Sequence, residues 1–425
     1  MRICHFTNTF LPHIGGVARA VQTLLEDQRR AHHRVLVVAP EFADGPAPRR
    51  IECSVERIAA LKNFNDSDFS VRLPAAATFS SRLANFKADI LHSHHPFLLG
   101  ETALREAASR QVPLVFTHHT LYEHYTHYLP FDSGPLQDFA AELATRYANR
   151  CDTVIAPSES VRDLIVGRGV EVPVHVVPTG IDTRELARGN GARARKRLGI
   201  PARAFVIGHL GRLAAEKNPG YLADALARAL SALPAARALI VGDGPAREDM
   251  QKILGARGVL DRVVFTGSLR GAKLRDACAA MDLFAFASTS ETQGLVLAEV
   301  MASATPVVAL DASGAREVVE DGRNGRLLAT NATPEQFSRA LAQALKRPAL
   351  LREWSAAARA TAARFDRAVT SRALLGVYAE VRERHRHAHE TESAVDRIVN
   401  PLIERIATEG RLIADKAAAV LDALA

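Results

Sequence analysis

Short runs of apolar and β-branched residues alternate along this chain with longer segments whose apolar residues recur at helical spacing. In the first half, the short runs predict strands at Arg2–Phe6, Val35–Ala39, Ile90–Ser93, Leu114–Thr117, Thr153–Ala156 and Val174–Val177. The longer segments predict helices at Val17–Arg30, Gly100–Arg110 and Gln137–Asn149. Because strands that alternate with helices form parallel sheets, we expect an α/β, doubly wound first domain over residues 1–182. The pattern over residues 41–86 leaves extra strands and a loop both open.

The same alternation restarts near residue 205. Strands are predicted at Phe205–Leu210, Ala238–Val241, Val263–Thr266, Leu283–Ala287 and Pro306–Ala309, and helices at Arg193–Leu198, Gly220–Ala232, Ala246–Ala256, Gly271–Ala280, Leu295–Ala302 and Pro334–Lys346. A linker is expected around residues 178–190, and a second Rossmann-like domain over residues 190–375. Ligands of open α/β sheets bind beyond the carboxyl ends of the strands, so we expect a cleft between the two domains.

Residues 376–425 carry a helical pattern of their own. Apolar residues from Val395 to Leu424 repeat at helical spacing, and Asn400-Pro401 and Gly410 indicate breaks. The first expectation is one or two helices packed on the body of the protein. An oligomer contact and a membrane-surface helix stay open, although the tail is net acidic and lacks a lysine-rich face for anionic lipid.

Composition narrows the class of protein. With 48% hydrophobic and 24% charged residues the chain reads as globular, and its four scattered cysteines predict free thiols and no metal site. No signal-peptide pattern or long apolar run is visible, so we expect a cytoplasmic protein. The net charge of +7 comes from the second half. That charge suits an anionic small molecule, and without a nucleic-acid-binding motif it does not predict a nucleic-acid partner.

A strand-to-helix turn in the second half carries two carboxylates, in Glu291-Thr-Gln-Gly-Leu-Val-Leu-Ala-Glu299. Gly294 in this turn leaves backbone N–H groups at the helix start, where they and the helix dipole favour a negative oxygen. Carboxylates would repel a phosphate, so Glu291 fits a sugar hydroxyl and Glu299 a ribose. A helix cap and a surface residue are the alternative interpretation.

Two cations, Arg212 and Lys217, lie in a loop that follows the strand Phe205–Leu210. Fixed cations at the carboxyl end of a strand suit a diphosphate whose leaving charge must be neutralised. A pair of solvated surface cations is the alternative.

The first half offers weaker signals at the ends of two strands. Gly15-Gly16 lies between the first strand and first helix, where glycines let a ligand approach the backbone or simply make a turn. Thr117-His118-His119-Thr120 ends another strand. Adjacent side chains point opposite ways in an extended chain, so we expect one of the two histidines to face a substrate.

Together these motifs resemble family 4 of the GT-B glycosyltransferases, over about residues 1–380. The pairing of Gly-Arg-x4-Lys with Glu-x7-Glu, in that order, carries the resemblance, and Pro178–Asp182, Val241–Pro245 and Phe265–Leu269 match other landmarks of the family. The resemblance implies a GT-B fold, two Rossmann-like domains with C-terminal helices. It also implies a retaining enzyme that uses a nucleotide sugar and needs no metal or other cofactor.

The resemblance also implies roles for single residues. The catalytic set is His119, Glu291, Arg212 and Lys217, of which Arg212 and Lys217 hold the donor diphosphate. The donor-binding set is Gly15, Gly16, Arg212, Lys217, Leu269, Gln293, Gly294, Leu295, Val296 and Glu299. His119 contacts the sugar, and His118 stands where the family carries an aromatic residue.

Three segments narrow the resemblance further: His95–Gly100, His119–Tyr128 and Glu291–Gly294 resemble the branch that glucosylates diacylglycerol. That branch implies UDP-glucose, a lipid acceptor, contact with the inner face of the cytoplasmic membrane, and an acceptor site at Tyr122, Glu123, Tyr125 and Tyr128. Members of the branch bind membranes through basic parts of the first domain, whereas this first domain is slightly acidic. A soluble sugar or polyol acceptor therefore stays open, as does a GT-B epimerase or hydrolase of nucleotide sugars.

Overall fold

The computed structural model describes residues 1–13, 15–42, 48–61, 71–72, 81–123, 134–389 and 396–424. The chain divides into two compact units. The first consists of Met1–Gly180 together with Thr370–Ala425, and the second is Ile181–Val369. The C-terminal helices, which the sequence pattern set apart from residue 376 onward, therefore belong to the first unit.

Fifteen strands are present in the described residues. They are β1 (Arg2–Phe6), β2 (Arg34–Pro40), β3 (Val55–Ile58), β4 (Ala60–Leu61), β5 (Val71–Arg72), β6 (Ile90–Ser93), β7 (Leu114–Thr117), β8 (Thr153–Ala156), β9 (Val174–Val176), β10 (Phe205–Leu210), β11 (Ala236–Val241), β12 (Val263–Phe265), β13 (Leu283–Phe286), β14 (Val307–Leu310) and β15 (Gly325–Leu328). The predicted strands match to within two residues at each end, and the sequence left out β15 and named no strand within residues 41–86.

Sixteen α-helices lie between these strands in the part of the chain that the structure describes. They are α1 (Gly16–Arg30), α2 (Arg49–Glu52), α3 (Ser81–Phe86), α4 (Leu99–Arg110), α5 (Gly134–Ala148), α6 (Glu159–Gly167), α7 (Thr183–Leu186), α8 (Gly191–Arg197), α9 (Pro219–Ala232), α10 (Arg247–Ala256), α11 (Gly271–Ala279), α12 (Leu295–Ala302), α13 (Pro334–Leu345), α14 (Pro348–Ala363), α15 (Arg367–His389) and α16 (Asp396–Leu424). None of them is long and apolar enough to cross a bilayer.

The first unit is built on a seven-stranded parallel sheet in the order β3-β2-β1-β6-β7-β8-β9. Its strands are almost wholly buried because helices cover both faces, which is why they read as continuous apolar runs. The order reverses between β1 and β6, where the chain ends of both strands meet at one edge. β4 and β5 form a separate antiparallel pair.

The second unit holds a six-stranded parallel sheet in the order β12-β11-β10-β13-β14-β15. One apolar cluster around Leu226 and Ile240 packs on one face, and a second around Phe284 and Leu297 packs on the other. The order reverses between β10 and β13, so the loops after these two strands start side by side. Both units thus have the doubly wound architecture that the sequence predicts.

The tail is one continuous helix, α16, and it packs on α4 and α5 of the first unit. Leu412 is buried there, Arg105 pairs with Glu409 at 2.5 Å, and Arg150 pairs with Asp415 at 3.1 Å. The expected breaks at Asn400-Pro401 and Gly410 were wrong. Proline is tolerated near a helix start, and a helix held along one side by a body survives one glycine.

Candidate functional site

In the second unit, the structure brings Lys217 and Glu291 together. Lys217 lies in the loop after β10 and Glu291 in the loop after β13, and these strands are neighbours in the sheet. The Nζ of Lys217 donates a hydrogen bond to Oε1 of Glu291 at 2.8 Å, and each side chain is only about one-fifth exposed. A cation and a carboxylate are thus held in contact at the carboxyl edge of the sheet.

The helix that follows Glu291 begins without a side-chain cap. Gly294 is the N-cap of α12 with φ +67°, no side chain accepts a hydrogen bond from the helix start, and the first turn holds no acidic residue. The N–H groups of this turn can therefore take an external anion. Glu299 lies in the second turn and is 8% exposed, and Gln293 is 5% exposed.

The remaining predicted residues of this unit lie around the same edge of the sheet. Arg212 is exposed in the loop after β10, whose backbone is tied to the loop after β11 because Leu213 N–H donates to Asp243 at 3.0 Å. Leu269 follows β12 and is half-buried, and Leu295 and Val296 pack against the core cluster that contains Leu297.

In the first unit, His119 follows β7 and is hydrogen-bonded. Its Nε2 lies 2.9 Å from Nδ1 of His94. His118 is buried instead among aromatic rings, against Phe116 and Tyr122, and its Nδ1 has no hydrogen-bond partner among the described residues. The two histidines therefore lie in different surroundings, as the alternation of an extended chain requires.

The predicted acceptor residues are only partly described. The hydroxyl of Tyr122 is buried and has no hydrogen-bond partner within the described residues, so it is one candidate for a ligand contact. Glu123 pairs with Arg168 at 2.7 Å. Tyr125 and Tyr128 lie outside the described residues.

The glycine pair begins the first helix. Gly15 is the N-cap of α1 in an extended conformation, no side chain caps this helix start, and the first turn holds no acidic residue. A Cβ on Gly16 would meet nothing within 4 Å, and one on Gly15 would lie 3.1 Å from the ring of His13. Within the described residues, the protein itself does not require glycine at position 16, so a close-approaching ligand remains the reason the sequence proposes.

The segment His95–Gly100 is a turn built against the first strand's loop. Asn8 N–H donates to Nδ1 of His95 at 3.1 Å, and the Asn8 side chain accepts from Leu99 N–H at 3.1 Å. A Cβ on Gly100 would lie 1.9 Å from the His95 carbonyl oxygen, so only glycine fits there. The motif therefore has a structural role, which fixes the entry to α4.

Two family models match most of this chain. Glycosyltransferase Family 4 matches residues 14–185, and Glycosyl transferases group 1 matches residues 191–361. The alpha-monoglucosyldiacylglycerol synthase of Streptococcus pneumoniae is 32% identical over 317 residues, which cover 73% of this chain and 71% of that enzyme. The chain belongs to glycosyltransferase family 4. The family that the motifs predicted is therefore confirmed.

Other relatives of this glycosyltransferase carry different names. The alpha-monoglucosyldiacylglycerol synthase of Acholeplasma laidlawii is 28% identical, covering 76% of this chain and 84% of that enzyme. A GDP-mannose-dependent alpha-mannosyltransferase of Mycolicibacterium smegmatis is 30% identical, covering 83% of this chain and 94% of that enzyme. Sequence similarity thus establishes a glycosyltransferase and leaves the donor sugar to be tested.

Solved structures confirm the GT-B fold of this glycosyltransferase. Anabaena HepE in complex with UDP and glucose superimposes with a TM-score of 0.68 at 24% identity, covering 89% of this chain and all of that one. A sucrose-phosphate synthase from Thermosynechococcus elongatus gives 0.71 at 20% identity, covering 89% of this chain and 98% of that one.

The sequence analysis missed Gly314, which supports the Glu291 loop of the glycosyltransferase. Gly314 follows β14, has φ +79°, and a Cβ on it would lie 2.5 Å from Cβ of Glu291. Conversely, a Cβ on Gly294 would lie 2.4 Å from the Gly314 carbonyl oxygen. The usable signal was Ser313-Gly314 at the end of the next strand in the sheet, since the carboxyl ends of parallel strands share an edge.

Gly314→Ala should therefore damage activity more than stability. The new methyl group must displace the loop that carries Glu291, and the strained backbone costs about 1–3 kcal/mol of unfolding free energy. Gly322→Ala is the matched control because Gly322 has φ +75° but open space around its Cα. Urea unfolding and turnover should show similar stability losses, with a large activity loss only in Gly314→Ala. Equal activity of the two variants would contradict this role of Gly314.

Burial keeps the histidines of the first unit neutral. It lowers the pKa of His5 to about 4 and that of His119 to about 3, and those of His92 and His94 fall well below the ordinary value, with further lowering from neighbouring histidines. The pKa of His118 falls to about 4, also chiefly through burial.

The glycosyltransferase should consequently lose stability in mild acid. A histidine of the unfolded chain has a pKa near 6.5, so below that pH the unfolded chain binds protons that the folded chain refuses. Stability is fully present above pH 6.5 and decreases as the pH falls toward 4, by about 2 kcal/mol for each such histidine between pH 7 and 5. Urea unfolding at pH 7.5, 6.5, 5.5 and 5.0 measures this. An unfolding free energy that stays constant down to pH 5 would show that these rings are not buried neutral.

Proposed function

We propose that this glycosyltransferase is a retaining, metal-independent enzyme that moves glucose from UDP-glucose to an acceptor hydroxyl, diacylglycerol being the first candidate acceptor. The observation that carries the proposal is the Lys217–Glu291 pair beside the uncapped start of α12. It has the chemistry to hold a charged leaving group next to a sugar. The similarity to two alpha-monoglucosyldiacylglycerol synthases supports the choice of sugar and acceptor.

Lys217, Arg212 and the first turn of α12 would stabilise the leaving diphosphate. Charge on the bridging phosphate oxygen grows as its bond to the anomeric carbon breaks, and pre-placed cations and N–H groups stabilise that charge without reorganising. Glu291 accepts a hydrogen bond from Lys217 and so holds the ammonium group in position.

Glu291 and Glu299 would bind hydroxyl groups of the donor. A carboxylate accepts hydrogen bonds from neutral hydroxyls strongly and repels phosphate, which separates the sugar and ribose from the diphosphate. In this proposal Glu291 and Gly294 take the sugar, Glu299 takes the ribose, Leu269 lies beside the base, and His119 contacts a sugar hydroxyl.

Transfer would proceed on one face of the sugar. The acceptor oxygen bonds to the anomeric carbon on the side from which the diphosphate leaves, and the acceptor proton passes to the departing phosphate oxygen. The products are the glycoside, with its anomeric configuration retained, and UDP. This path needs no separate base.

Metal independence is supported by the family resemblance alone. The chain does contain one Asp-x-Asp triplet, Asp66-Ser-Asp68, and it lies outside the described residues. Activity that survives a chelator is therefore part of the proposal, and activity restored only by a divalent cation would remove it.

Mannosyl transfer from GDP-mannose is the second candidate. It is favoured by the GDP-mannose-dependent alpha-mannosyltransferase that is 30% identical over 83% of this chain. Soluble acceptors also stay in the test because the buried Tyr122 hydroxyl offers a polar contact that an acceptor could use.

The deciding experiment incubates the purified protein with labelled UDP-glucose or GDP-mannose, with and without diacylglycerol liposomes, and separates lipid and water phases. Label from UDP-glucose in the lipid phase, absent in Glu291→Ala, would support a glucolipid synthase that acts at the membrane surface. Label from GDP-mannose would select the second candidate. Turnover with no acceptor would point to a hydrolase or epimerase, and label only in a soluble product would replace the lipid acceptor.

A further inference from the structure

A chain of buried polar side chains runs through the core of the first unit and ends at His119. The side chains come from β1, α1, β6, β7 and α15 and the loops that follow two of these strands. The contacts in order are His119 Nε2 to His94 Nδ1 at 2.9 Å, His94 Nε2 to His5 Nδ1 at 3.0 Å, His5 Nε2 to Gln28 Oε1 at 2.8 Å, Gln28 Nε2 to Tyr378 OH at 3.4 Å, Tyr378 OH to His92 Nδ1 at 2.5 Å, and His92 Nε2 to Thr117 Oγ1 at 2.6 Å.

The amide of Gln28 determines where every proton of this chain lies. Its oxygen can only accept, so Nε2 of His5 carries the proton and Nδ1 of His5 is an acceptor. His94 must then donate from Nε2, which leaves Nδ1 of His94 as an acceptor. His119 in turn donates from Nε2. A neutral ring carries one proton, so Nδ1 of His119 is an acceptor.

The other branch of the chain is consistent with this direction. The Gln28 amino group donates to the Tyr378 hydroxyl, which donates to Nδ1 of His92, and His92 donates from Nε2 to Thr117. Each of the four rings then carries a single proton. The opposite orientation of the Gln28 amide would reverse every donor and acceptor and would make Nδ1 of His119 a donor.

We propose that Gln28 is a positioning residue, which acts through His5 and His94 to hold His119 in the Nε2–H tautomer so that its Nδ1 accepts a hydrogen bond from a substrate hydroxyl. Tyr378 supports Gln28 by accepting from its amino group, so the C-terminal helix α15 contributes to the same arrangement. The inference rests on the proposed contact between His119 and the donor sugar. The tautomer itself can be measured without any substrate.

A metal site is the competing explanation for these histidines. Ligand atoms of His5, His92 and His94 lie within 4.8 Å of one another, close enough to share an ion. The hydrogen-bond chain nevertheless accounts for both nitrogens of all three rings, at 2.5 to 3.0 Å. A bound ion would have to break several of these bonds, so the geometry favours the proton-ordered chain.

The first test is nitrogen NMR of the full chain labelled with ¹⁵N-histidine at pH 7.5, with signals assigned through single histidine-to-glutamine variants. Ring nitrogen shifts distinguish the two neutral tautomers. We expect the Nε2–H form for His5, His94 and His119. Nδ1–H forms, or one zinc per chain by elemental analysis of the purified protein, would overturn the proposal.

The second test is Gln28→Met, which keeps the shape of the side chain and removes the amide. We expect the His119 signals to become a mixture of tautomers and kcat to fall about tenfold, the worth of one neutral hydrogen bond, with KM for the donor nearly unchanged. Tyr378→Phe should produce a smaller change of the same kind. Gln22→Met is the matched control, because Gln22 is on the same helix and bonds only to Glu26 among its printed contacts.

The two tests separate this inference from the proposed function. A Gln28→Met variant that loses stability and activity while His119 keeps one tautomer would reduce Gln28 to a packing residue and overturn the inference. An inactive wild-type protein with the expected tautomers would instead count against the proposed function and leave the tautomer assignment standing.

Discussion

Lys217→Ala should lower turnover by about three orders of magnitude, the scale expected when a group that stabilises developing charge is removed from an enzyme site. Lys217 contacts Glu291 at 2.8 Å, and both side chains are only about one-fifth exposed. Removing the ammonium group takes away a cation for the leaving phosphate. It also leaves the Glu291 carboxylate without its charge partner, and that carboxylate then repels the phosphate.

The fold should tolerate this change. A partly exposed ion pair contributes about 0–1 kcal/mol to the unfolding free energy, so the melting temperature should fall by only a few degrees. Single-turnover kinetics with UDP-glucose and thermal unfolding measure the two effects. Lys252→Ala is the control, because Lys252 pairs with Asp249 at 2.9 Å on an exposed helix face of the same unit.

The double variant Lys217→Ala/Glu291→Gln separates the two causes of the loss. If part of it comes from the unpaired carboxylate, neutralising Glu291 should restore some turnover. Near-normal activity in Lys217→Ala, with an intact fold, would show that the diphosphate is bound elsewhere.

Glu299→Ala should lower kcat/KM by about two orders of magnitude, because a hydrogen bond from a ribose hydroxyl to a charged group is worth about 1.5–3 kcal/mol. Glu299 is 8% exposed in the second turn of α12. Its charge, after burial itself, helps to raise the pKa of the neighbouring Cys278 thiol to about 12, so the carboxylate is close to the core.

Titration calorimetry with UDP alone gives the clearest measurement for Glu299. A ribose contact predicts weaker UDP binding in Glu299→Ala, partial recovery in Glu299→Gln, and normal binding in Glu353→Ala on the exposed face of α14. Unfolding in urea should be nearly unchanged, because removing a buried carboxylate also removes its desolvation cost. Unaltered UDP affinity in Glu299→Ala would exclude the ribose contact.

Local pattern was enough to predict most elements of this protein. Leu114–Thr117 and Leu283–Phe286 are buried on both faces of parallel sheets, so they appear in the sequence as short apolar runs with clear ends. Elements with weaker patterns were missed, such as β3, which is only half-buried at its centre, and α6, whose buried residues are few. The expected break at Gly410 failed because contacts with α4 and α5 hold the helix there.

Candidate residues followed the same division. Lys217 and Glu291 belong to motifs whose position at strand ends can be read along the chain, and neighbouring strands place them in contact. Gly314 could not be selected in this way, because its importance lies in the space beside Glu291 and not in its own neighbours in sequence.

The sequence by itself determined the two α/β units, the family and the strand ends at which polar groups gather, because periodicity and motif spacing are local properties of the chain. Only the tertiary structure decided that His5, Gln28, His94 and Tyr378 form one hydrogen-bonded chain to His119. These side chains come from separate elements, and Gln28 and Tyr378 are 350 residues apart. Their protons are ordered by contacts inside the core, which no local pattern of residues encodes.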